Sequence, residues 1–232
     1  MQNTYSKDGL VLDISGQKLR ETGRDITRDK SRHMNHGMCI NGMNIMQTKE
    51  GTSALSFDGI DDYINCGNDT SLNPTEAITV ECWAKLDAAT MGENLYDPII
   101  QRNNTYLLRA EKGTSGVSFN FFIYTETSWE PGAYSVSHFA FGVWHHVVGT
   151  YNRQHVKIYV NGKLKGSSAR NGVMSLTGNN TVIGFWINNY FQGLIDEVRI
   201  YNRALSAEEV RGNMFASKRY KYMRGVQKCG VQ

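Results

Sequence analysis

The sequence predicts an all-β protein built from antiparallel strands, either a sandwich or a barrel. Short stretches of alternating β-branched and aromatic residues recur along the chain, with Gly, Asn and Asp turns between them. Helical periodicity is scarce, and 232 residues suit a single large β domain. The composition is 40% hydrophobic and 20% charged with 23 Gly and 3 Pro, which excludes a collagen-like, disordered or disulfide-saturated chain.

The alternation assigns a series of strands. In chain order they are residues 54–57, 63–66, 77–86, 99–101, 106–110, 117–124, 144–151, 155–160, 181–184 and 193–201. Within this series, Asn161 and Gly162 supply the two positive-φ residues of a type I′ hairpin turn. Near the C-terminus, Ser206 and Glu209 have the spacing of a capping box, which predicts one short helix.

The first fifty residues are less regular than the rest. Residues 18–32 hold six basic and three acidic residues with little periodicity, so we predict a long loop or an outer wrapping segment and assign no strand there. No internal repeat or Pro-rich linker divides the chain. We therefore expect an N-terminal tail at residues 1–7, one sandwich at 8–215 and a basic tail at 216–232.

The positive charge is concentrated at the C-terminus. The total is only +3, yet residues 211–232 hold six Lys or Arg and no acidic residue. Such a segment is either a solvated terminus or an anchor on an acidic partner surface or nucleic acid. The rest of the chain has an acidic excess, so we do not expect nucleic acid to bind the body of the protein.

The sequence shows neither a membrane-spanning segment nor a signal peptide. No apolar run approaches the roughly 20 residues that span a bilayer, and the N-terminus lacks the apolar core of a signal peptide. We expect no membrane span. Localisation stays open between a virion or extracellular location, reached after assembly and release, and the cytoplasm.

Four segments resemble the laminin-G-like branch of the concanavalin A-like lectin/glucanase superfamily. Residues 29–37 (DKSRHMNHG) are similar to its early D-S-S-x-x-x-N-H-G segment, with Lys30 as a departure, and 54–64 (ALSFDGIDDYI) resemble its strand-turn-strand. WHHVVGTY followed by IYVNG looks like its W-H-H-V hairpin, and 193–206 (GLIDEVRIYNRALS) are close to its closing strand. The resemblance implies a two-sheet antiparallel jelly roll that recognises carbohydrate or protein.

The resemblance also implies a structural calcium ion. Related sandwiches place it at the aspartate that corresponds to Asp196, so the expected ligands are Asp196, Asp58 and the carbonyl of Gly59, with Asp29 as a weaker candidate. A strict period of two puts Asp196 on one face of its strand with aliphatic residues, where a carboxylate needs a metal, a cation or a hydrogen-bond donor. The alternative is that Asp196 accepts from turn amides or meets a nearby arginine.

Motifs for catalysis or redox chemistry are absent. The E-x-D-x-x-E arrangement of the related glucanases does not occur, and Glu126 and Glu130 are four residues apart without a third partner. G-x-S-x-G, H-E-x-x-H and C-x-x-C are also missing. We expect no enzyme, and we expect free cysteines, with Cys82 as a buried small hydrophobe.

Two predicted loops are rich in aromatic and amide side chains, as sugar-binding surfaces often are. These candidate ligand-binding residues are Tyr124, Trp129 and Tyr134 in the first loop, and Trp186, Asn188, Asn189 and Tyr190 in the second. The same residues could instead fill the core. Together these features predict a non-catalytic, lectin-like module that binds glycan or a protein surface.

The alternative is a structural module. A decoration or appendage protein of a virion or larger assembly would self-assemble or contact its partners through strand edges and the basic tail. The absence of an export signal is consistent with such a protein, which is assembled in the cell and released by lysis.

Overall fold

The computed structural model of the protein is a sandwich of two large antiparallel sheets with one α-helix, as the sequence predicts. It describes residues 5–21, 24–47, 52–87, 95–125 and 128–217. Glu126, Cys229 and the basic segment from Lys218 onward lie outside these ranges.

The strands are short and joined mostly by tight turns. In chain order they are β1 (Leu10–Ile14), β2 (Lys18–Glu21), β3 (Arg24–Thr27), β4 (Gly37–Ile40), β5 (Asn44–Gln47), β6 (Ser53–Asp58), β7 (Tyr63–Asn65), β8 (Ile78–Leu86), β9 (Tyr96–Arg102), β10 (Tyr106–Gly113), β11 (Gly116–Ile123), β12 (Ala133–Tyr134), β13 (His145–Tyr151), β14 (His155–Val160), β15 (Lys163–Ala169), β16 (Thr181–Ile183), β17 (Phe185–Trp186), β18 (Asn189–Tyr190) and β19 (Gln192–Tyr201). Every strand predicted from the alternation is present.

The sheets are assembled from strands that are distant in the chain. Sheet A has the order β15-β14-β13-β8-β19-β6-β5, with β1 pairing with the second half of β19. Sheet B has the order β12-β11-β10-β9-β16-β7-β4-β3-β2. The hairpin β17–β18 forms a separate two-stranded ribbon that packs against β9. Asn161 and Gly162 have φ of 51° and 72°, which confirms the predicted turn between β14 and β15.

The core lies between the two sheets. Alternate residues of β8, including the fully buried Cys82, and of β11, including Phe119 and Phe121, point into it, and β11 lies opposite β13 and β14 of the other sheet. Cys39, Cys66 and Cys82 are free thiols, as predicted, and burial raises the pKa of the Cys66 and Cys82 thiols.

The prediction of a loop at residues 18–32 is wrong. Strands β2 and β3 form a hairpin there, with Leu19 opposite Ile26, and β3 continues sheet B through β4. The hairpin lies at the end of the sheet, where few side chains are buried, and it therefore carries charged residues instead of an apolar alternation.

The predicted faces of β19 are also wrong, because the strand contains a β-bulge. Glu197 has a φ of 49°, and the pairing with β8 shifts register between Asp196 and Arg199. Ile195 before the bulge and Val198 after it both face the core, so Asp196 lies on the outer face of sheet A.

The predicted helix is α1 (Ala207–Ala216), and its capping box is formed by Ser206 and Glu209. Its buried residues include Val210, which packs with Val148 and Tyr201 on the outer face of sheet A. No helix among the described residues is long and apolar enough to cross a membrane.

Candidate functional site

The outer face of sheet B carries an unusual set of side chains. Leu108 and Ala110 of β10 point into the core, so Arg109 between them points outward. On the neighbouring β11, Phe119 and Phe121 face the core, and Phe122 shares the outer face with Arg109. Sequence alternation therefore places a cation and an aromatic ring side by side on the exposed side of the sheet.

Arg109 is the centre of this arrangement. Its guanidinium carbon lies 3.9 Å from the centre of the Tyr96 ring and 4.7 Å from that of Phe122. The centre of the Trp186 ring is 5.9 Å from the same carbon. Cation–π attraction at these distances fixes the orientation of the arginine relative to three rings. Tyr134 extends the row, because its ring is 5.4 Å from that of Phe122. We call the five residues Tyr96, Arg109, Phe122, Tyr134 and Trp186 the platform.

The β17–β18 hairpin positions Trp186 over the platform. Gly184, with φ of 86°, starts the hairpin at a point where a Cβ atom would lie 2.6 Å from the ring of Phe57. Ile187 and Asn188 form the turn with φ of 44° and 60°. The Asn189 side chain donates to the carbonyl of Ile187 at 2.9 Å, which stabilises this turn.

A buried arginine, Arg170, hydrogen-bonds to the segment that precedes Tyr134. Arg170 donates from Nη2 to the carbonyl of Ser128 at 2.5 Å. Gly132 donates its amide to Oε2 of Glu130 at 2.8 Å, and the hydroxyl of Tyr134 donates to the same carboxylate. Burial and the Glu130 carboxylate raise the pKa of Tyr134 to about 12, so its hydroxyl stays protonated.

Buried polar atoms without partners lie on this side of the sheet. Oε1 of Gln101, Oδ1 of Asn120, Nε of Arg109 and Nε1 of Trp186 make no hydrogen bond with any described residue. Gln101 pairs with Leu107 across β9 and β10, and Asn120 is opposite Arg109 across β10 and β11. Because buried polar groups are nearly always hydrogen-bonded, these atoms indicate a place where water or a ligand supplies the partner.

The structure brings together part of the predicted ligand site. Tyr134 and Trp186, from different loops, both lie on the platform. Tyr124 packs against Trp129 at 5.0 Å, and both are half-buried. Asn188 and Asn189 form the hairpin turn, and the ring of Tyr190 packs 4.8 Å from that of Phe185. Ligand binding by all seven residues stays a prediction.

Sequence reasoning missed Tyr96, Arg109 and Phe122. The signal available was an apolar run, Phe121 to Ile123, that puts an aromatic ring on both faces of one strand. A strand with aromatic residues on both faces is either buried on both sides or forms a binding surface.

The predicted calcium ligands do not converge on one point. Asp196 accepts from the amide of Gly16 at 2.9 Å, which is the turn-amide alternative. Asp29 is buried, and its two oxygens accept four hydrogen bonds from Asp13, Ser31 and Asn35. Asp58 pairs with Gln192, which lies four residues before Asp196 on β19. At the usual rise per residue, Gln192 and Asp196 are about 13 Å apart along the strand.

Asp58 lies instead in a separate acidic turn. Carboxylate oxygens of Asp58, Asp61 and Asp62 are within 4.8 Å of one another. Burial and the neighbouring Asp58 raise the pKa of Asp62. Oδ2 of Asp62 accepts from the Asp58 amide at 3.3 Å, and Oδ1 of Asp58 accepts from the Ile60 amide at 2.8 Å, so hydrogen bonds within the turn account for part of this set.

A second polar cluster lies under α1 on the outer face of sheet A. Arg199 contacts Asp13 at 3.5 Å, Glu81 at 3.2 Å and Glu197 at 2.7 Å. His146 joins the cluster through Nε2, which lies 2.9 Å from Oε1 of Glu81. All five side chains are almost fully buried, and the cluster therefore has no open route to a ligand.

The α1 helix and the N-terminal segment close this cluster. Asn213 donates to Glu81 at 2.7 Å, and Ser217 donates to Glu197 at 2.9 Å. Tyr5 donates to Asp13 at 2.5 Å, and its ring lies 4.0 Å from the guanidinium of Arg199. Tyr5 and the α1 helix with Ser217 are thus tied to the outer face of sheet A.

Comparison with known proteins identifies the fold family. The profile of the concanavalin A-like lectin/glucanases superfamily matches residues 58–211. Domain 4 of AbnA, a GH43 extracellular arabinanase from Geobacillus stearothermophilus, solved with arabinotriose, superposes with a TM-score of 0.66 at 19% identity, covering 89% of this chain and 98% of that one. No curated protein sequence matches the chain.

Two toxin structures show the same fold. The botulinum neurotoxin serotype D ligand-binding domain, solved with N-acetylneuraminic acid, has a TM-score of 0.64 at 19% identity and 88% coverage of this chain. The binding domain of Paraclostridial Mosquitocidal Protein 1 has a TM-score of 0.63 at 14% identity and the same coverage. The chain spans about half of each toxin structure, 50% and 51% respectively.

Proposed function

The chain belongs to the concanavalin A-like lectin/glucanases superfamily, and from this premise we propose that it is a non-catalytic module that binds glycans through the platform. The observation that carries the proposal is the row of aromatic rings around Arg109 with unpartnered amide oxygens beside it. Sugars present apolar CH faces that pack on aromatic rings and hydroxyls that donate to amide oxygens. Domain 4 of AbnA, which this chain matches over 98% of its length, was solved with arabinotriose, which supports the same class of ligand.

The carboxylates near the platform support binding without catalysis. Glycoside hydrolysis uses two carboxyl groups, one of which must exchange a proton with the substrate. Glu111 accepts from the Asn120 amide at 3.0 Å, and Glu130 accepts from Gly132 and Tyr134. Both oxygens of Glu130 and one oxygen of Glu111 thus accept from protein donors.

Replacing Trp186 with alanine is expected to weaken glycan binding by at least about tenfold, because buried aromatic anchors commonly contribute about 2 kcal/mol or more. The melting temperature should change little, because Trp186 belongs to a hairpin outside the two main sheets. Glycan-array binding followed by calorimetric titration of the best glycan measures the loss. Trp129→Ala tests the neighbouring Tyr124–Trp129 pair in the same way.

Leu164→Ala is the matched control, because Leu164 is an apolar residue, 52% exposed, on β15 of the other sheet. It should bind as the unmodified protein does. Full binding in both tryptophan variants would refute this assignment of the site.

Calcium binding is a further proposal, now for the acidic turn of Asp58, Asp61 and Asp62. Carboxylate oxygens suit calcium, and an ion bound only by the folded state at about 100 times its Kd adds roughly 2.7 kcal/mol to stability. A chelator is expected to lower the melting temperature, and Asp58→Ala to remove that sensitivity. Asp196→Ala is expected to keep the sensitivity to chelator, because Asp196 lies outside the acidic turn and accepts from the amide of Gly16. An unchanged melting temperature in chelator would contradict the proposal.

A contact role in a virion or other assembly is the second candidate. It is favoured by a polar groove of about 810 Å³ that is lined by residues of β2 and β5, the last strands of their sheets. The groove is lined by Lys18, Asp25, Arg28 and Asn44, among others. Light scattering on protein taken from its source distinguishes the candidates, because a monomer supports the glycan-binding module and a particle-associated species supports the assembly.

A further inference from the structure

Arg109 differs from the buried arginines of this chain in having no hydrogen-bonded partner. Arg102, Arg170 and Arg199 each donate to a carbonyl or carboxylate at 2.5 to 2.9 Å. Arg109 makes no hydrogen bond with any described residue, and its side chain is only 13% exposed. Guanidinium donors that are largely buried and make no hydrogen bond are unfavourable, so an anion or water is expected to accept from them at this site.

The nearest protein carboxylate does not satisfy Arg109. Oε2 of Glu111 lies 3.9 Å from Nη2, which is beyond hydrogen-bond distance. The same oxygen accepts from Asn120 at 3.0 Å, so Glu111 forms a long ion pair with Arg109 but no hydrogen bond. Stacking on Tyr96 fixes the plane of the guanidinium, and its fork of donors matches a planar anion.

The neighbouring polar atoms specify what accompanies the anion. The unpartnered Oδ1 of Asn120 and Oε1 of Gln101 are acceptors, which repel a second negative group and favour hydroxyl donors. The rings of Tyr96 and Trp186 flank the charge and favour apolar faces. One negative group among hydroxyls and CH faces is the chemistry of an acidic sugar.

We infer that the platform selects glycans carrying a negatively charged sugar, with Arg109 binding the charged group. The inference rests on the proposed function, because it names the class of glycan for the same site. A carboxylate and a sulfate ester share the required chemistry. The planar carboxylate fits the bidentate fork of Arg109 better than the tetrahedral sulfate ester.

The test compares acidic glycans with neutral counterparts on the full chain. The probes are glycans that bear uronic or sialic acid, the same glycans with the carboxylate methyl-esterified, and sulfated glycans of similar length. We expect the carboxylated forms to bind at least about tenfold more tightly than the esters. Arg109→Gln should abolish this preference, and Arg109→Lys, which keeps the charge without the fork, should retain part of it.

Arg211→Gln is the matched control, because Arg211 is exposed on α1, on the opposite side of the sandwich. It removes the same charge and should leave the preference intact. Equal binding of acids and esters, with Arg109→Gln lowering both alike, would overturn the inference and leave glycan binding standing. A preference for sulfated over carboxylated glycans would overturn the assignment of the carboxylate only. No binding of any probe would reject the proposed function as well.

Discussion

Replacing Arg199 with methionine is expected to lower the free energy of unfolding by about 3–5 kcal/mol, because removing one partner of a buried ion pair leaves the others uncompensated. Arg199 is the cation among three buried carboxylates, those of Asp13, Glu81 and Glu197. Methionine keeps much of the length and apolar bulk of the arginine stem, so the loss reports mainly on charge. Equilibrium denaturation at about pH 7 measures it.

The control is Arg153→Met, whose ion pair with Glu76 is at the surface, with side chains 47% and 63% exposed. Exposed pairs contribute about 0–1 kcal/mol, so the control should be close to the unmodified protein. If the two variants lose similar amounts of stability, the cluster under α1 does not depend on its cation.

The same variant has a pH signature. Burial alone would raise the pKa of Glu81, but the hydrogen bond and charge of His146 and the charge of Arg199 outweigh it and hold the pKa below its ordinary value of 4.5. Burial would also raise the pKa of Glu197, but the charge and hydrogen bond of Arg199 outweigh it and lower that pKa. Stability from a lowered carboxyl pKa is present above about pH 4.5 and is lost as the pH falls through the folded-state value. Arg199→Met loses this contribution at neutral pH, so its deficit should shrink as the pH falls through the folded-state pKa values of Glu81 and Glu197, which lie below 4.5.

The second large effect is expected at Phe121, where alanine should cost about 3–5 kcal/mol through the cavity it leaves. The Phe121 ring lies directly on Gly149 of the opposite sheet, and a Cβ atom on Gly149 would be 2.2 Å from its Cγ atom. Gly149→Ala alone should therefore be destabilising by about 1–3 kcal/mol or more. In the double variant the new methyl group enters the cavity, so the combined loss should be smaller than the sum.

Gly178→Ala is the matched control for the added methyl group, because no atom lies within 4 Å of a Cβ at that position. It should change stability by only a few tenths of a kcal/mol. Strict additivity in the cycle would show that the contact between Phe121 and Gly149 does not determine the spacing of the sheets. Because β11 also carries Phe122 on its outer face, that spacing bears on the platform as well.

The sequence predicted the fold where side-chain patterns and turn residues agree. The Asn161-Gly162 turn and the capping box of α1 are local and were found as expected. Strands β2 and β3 were missed because an edge hairpin needs no apolar face. The bulge at Glu197 was missed because nothing in the local composition of β19 marks an extra residue, and positive φ is uncommon for glutamate.

The site was predictable only in part for a different reason. Aromatic residues within one loop, such as Trp186, are visible in the sequence, but the partners of Arg109 come from β9, β11 and the β17–β18 hairpin. Which strands are neighbours and which face is outward depend on sheet order, and no residue pattern states that order. The predicted calcium ligands do not converge for the same reason. Asp58 pairs with Gln192 at the start of β19, whereas Asp196 lies four residues further along that strand.

The bulge at Glu197 also limits how β19 can be compared with the corresponding strand of relatives. Its first half points odd-numbered residues such as Ile195 into the core, and its second half points even-numbered residues such as Val198 inward. When β19 is aligned with a strand that lacks the extra residue, inward-facing residues match inward-facing residues on one side of Glu197 only. Without a gap at that position, Asp196 is matched to a core aliphatic or Val198 to an exposed residue, and any role transferred by such an alignment goes to the wrong face of the sheet.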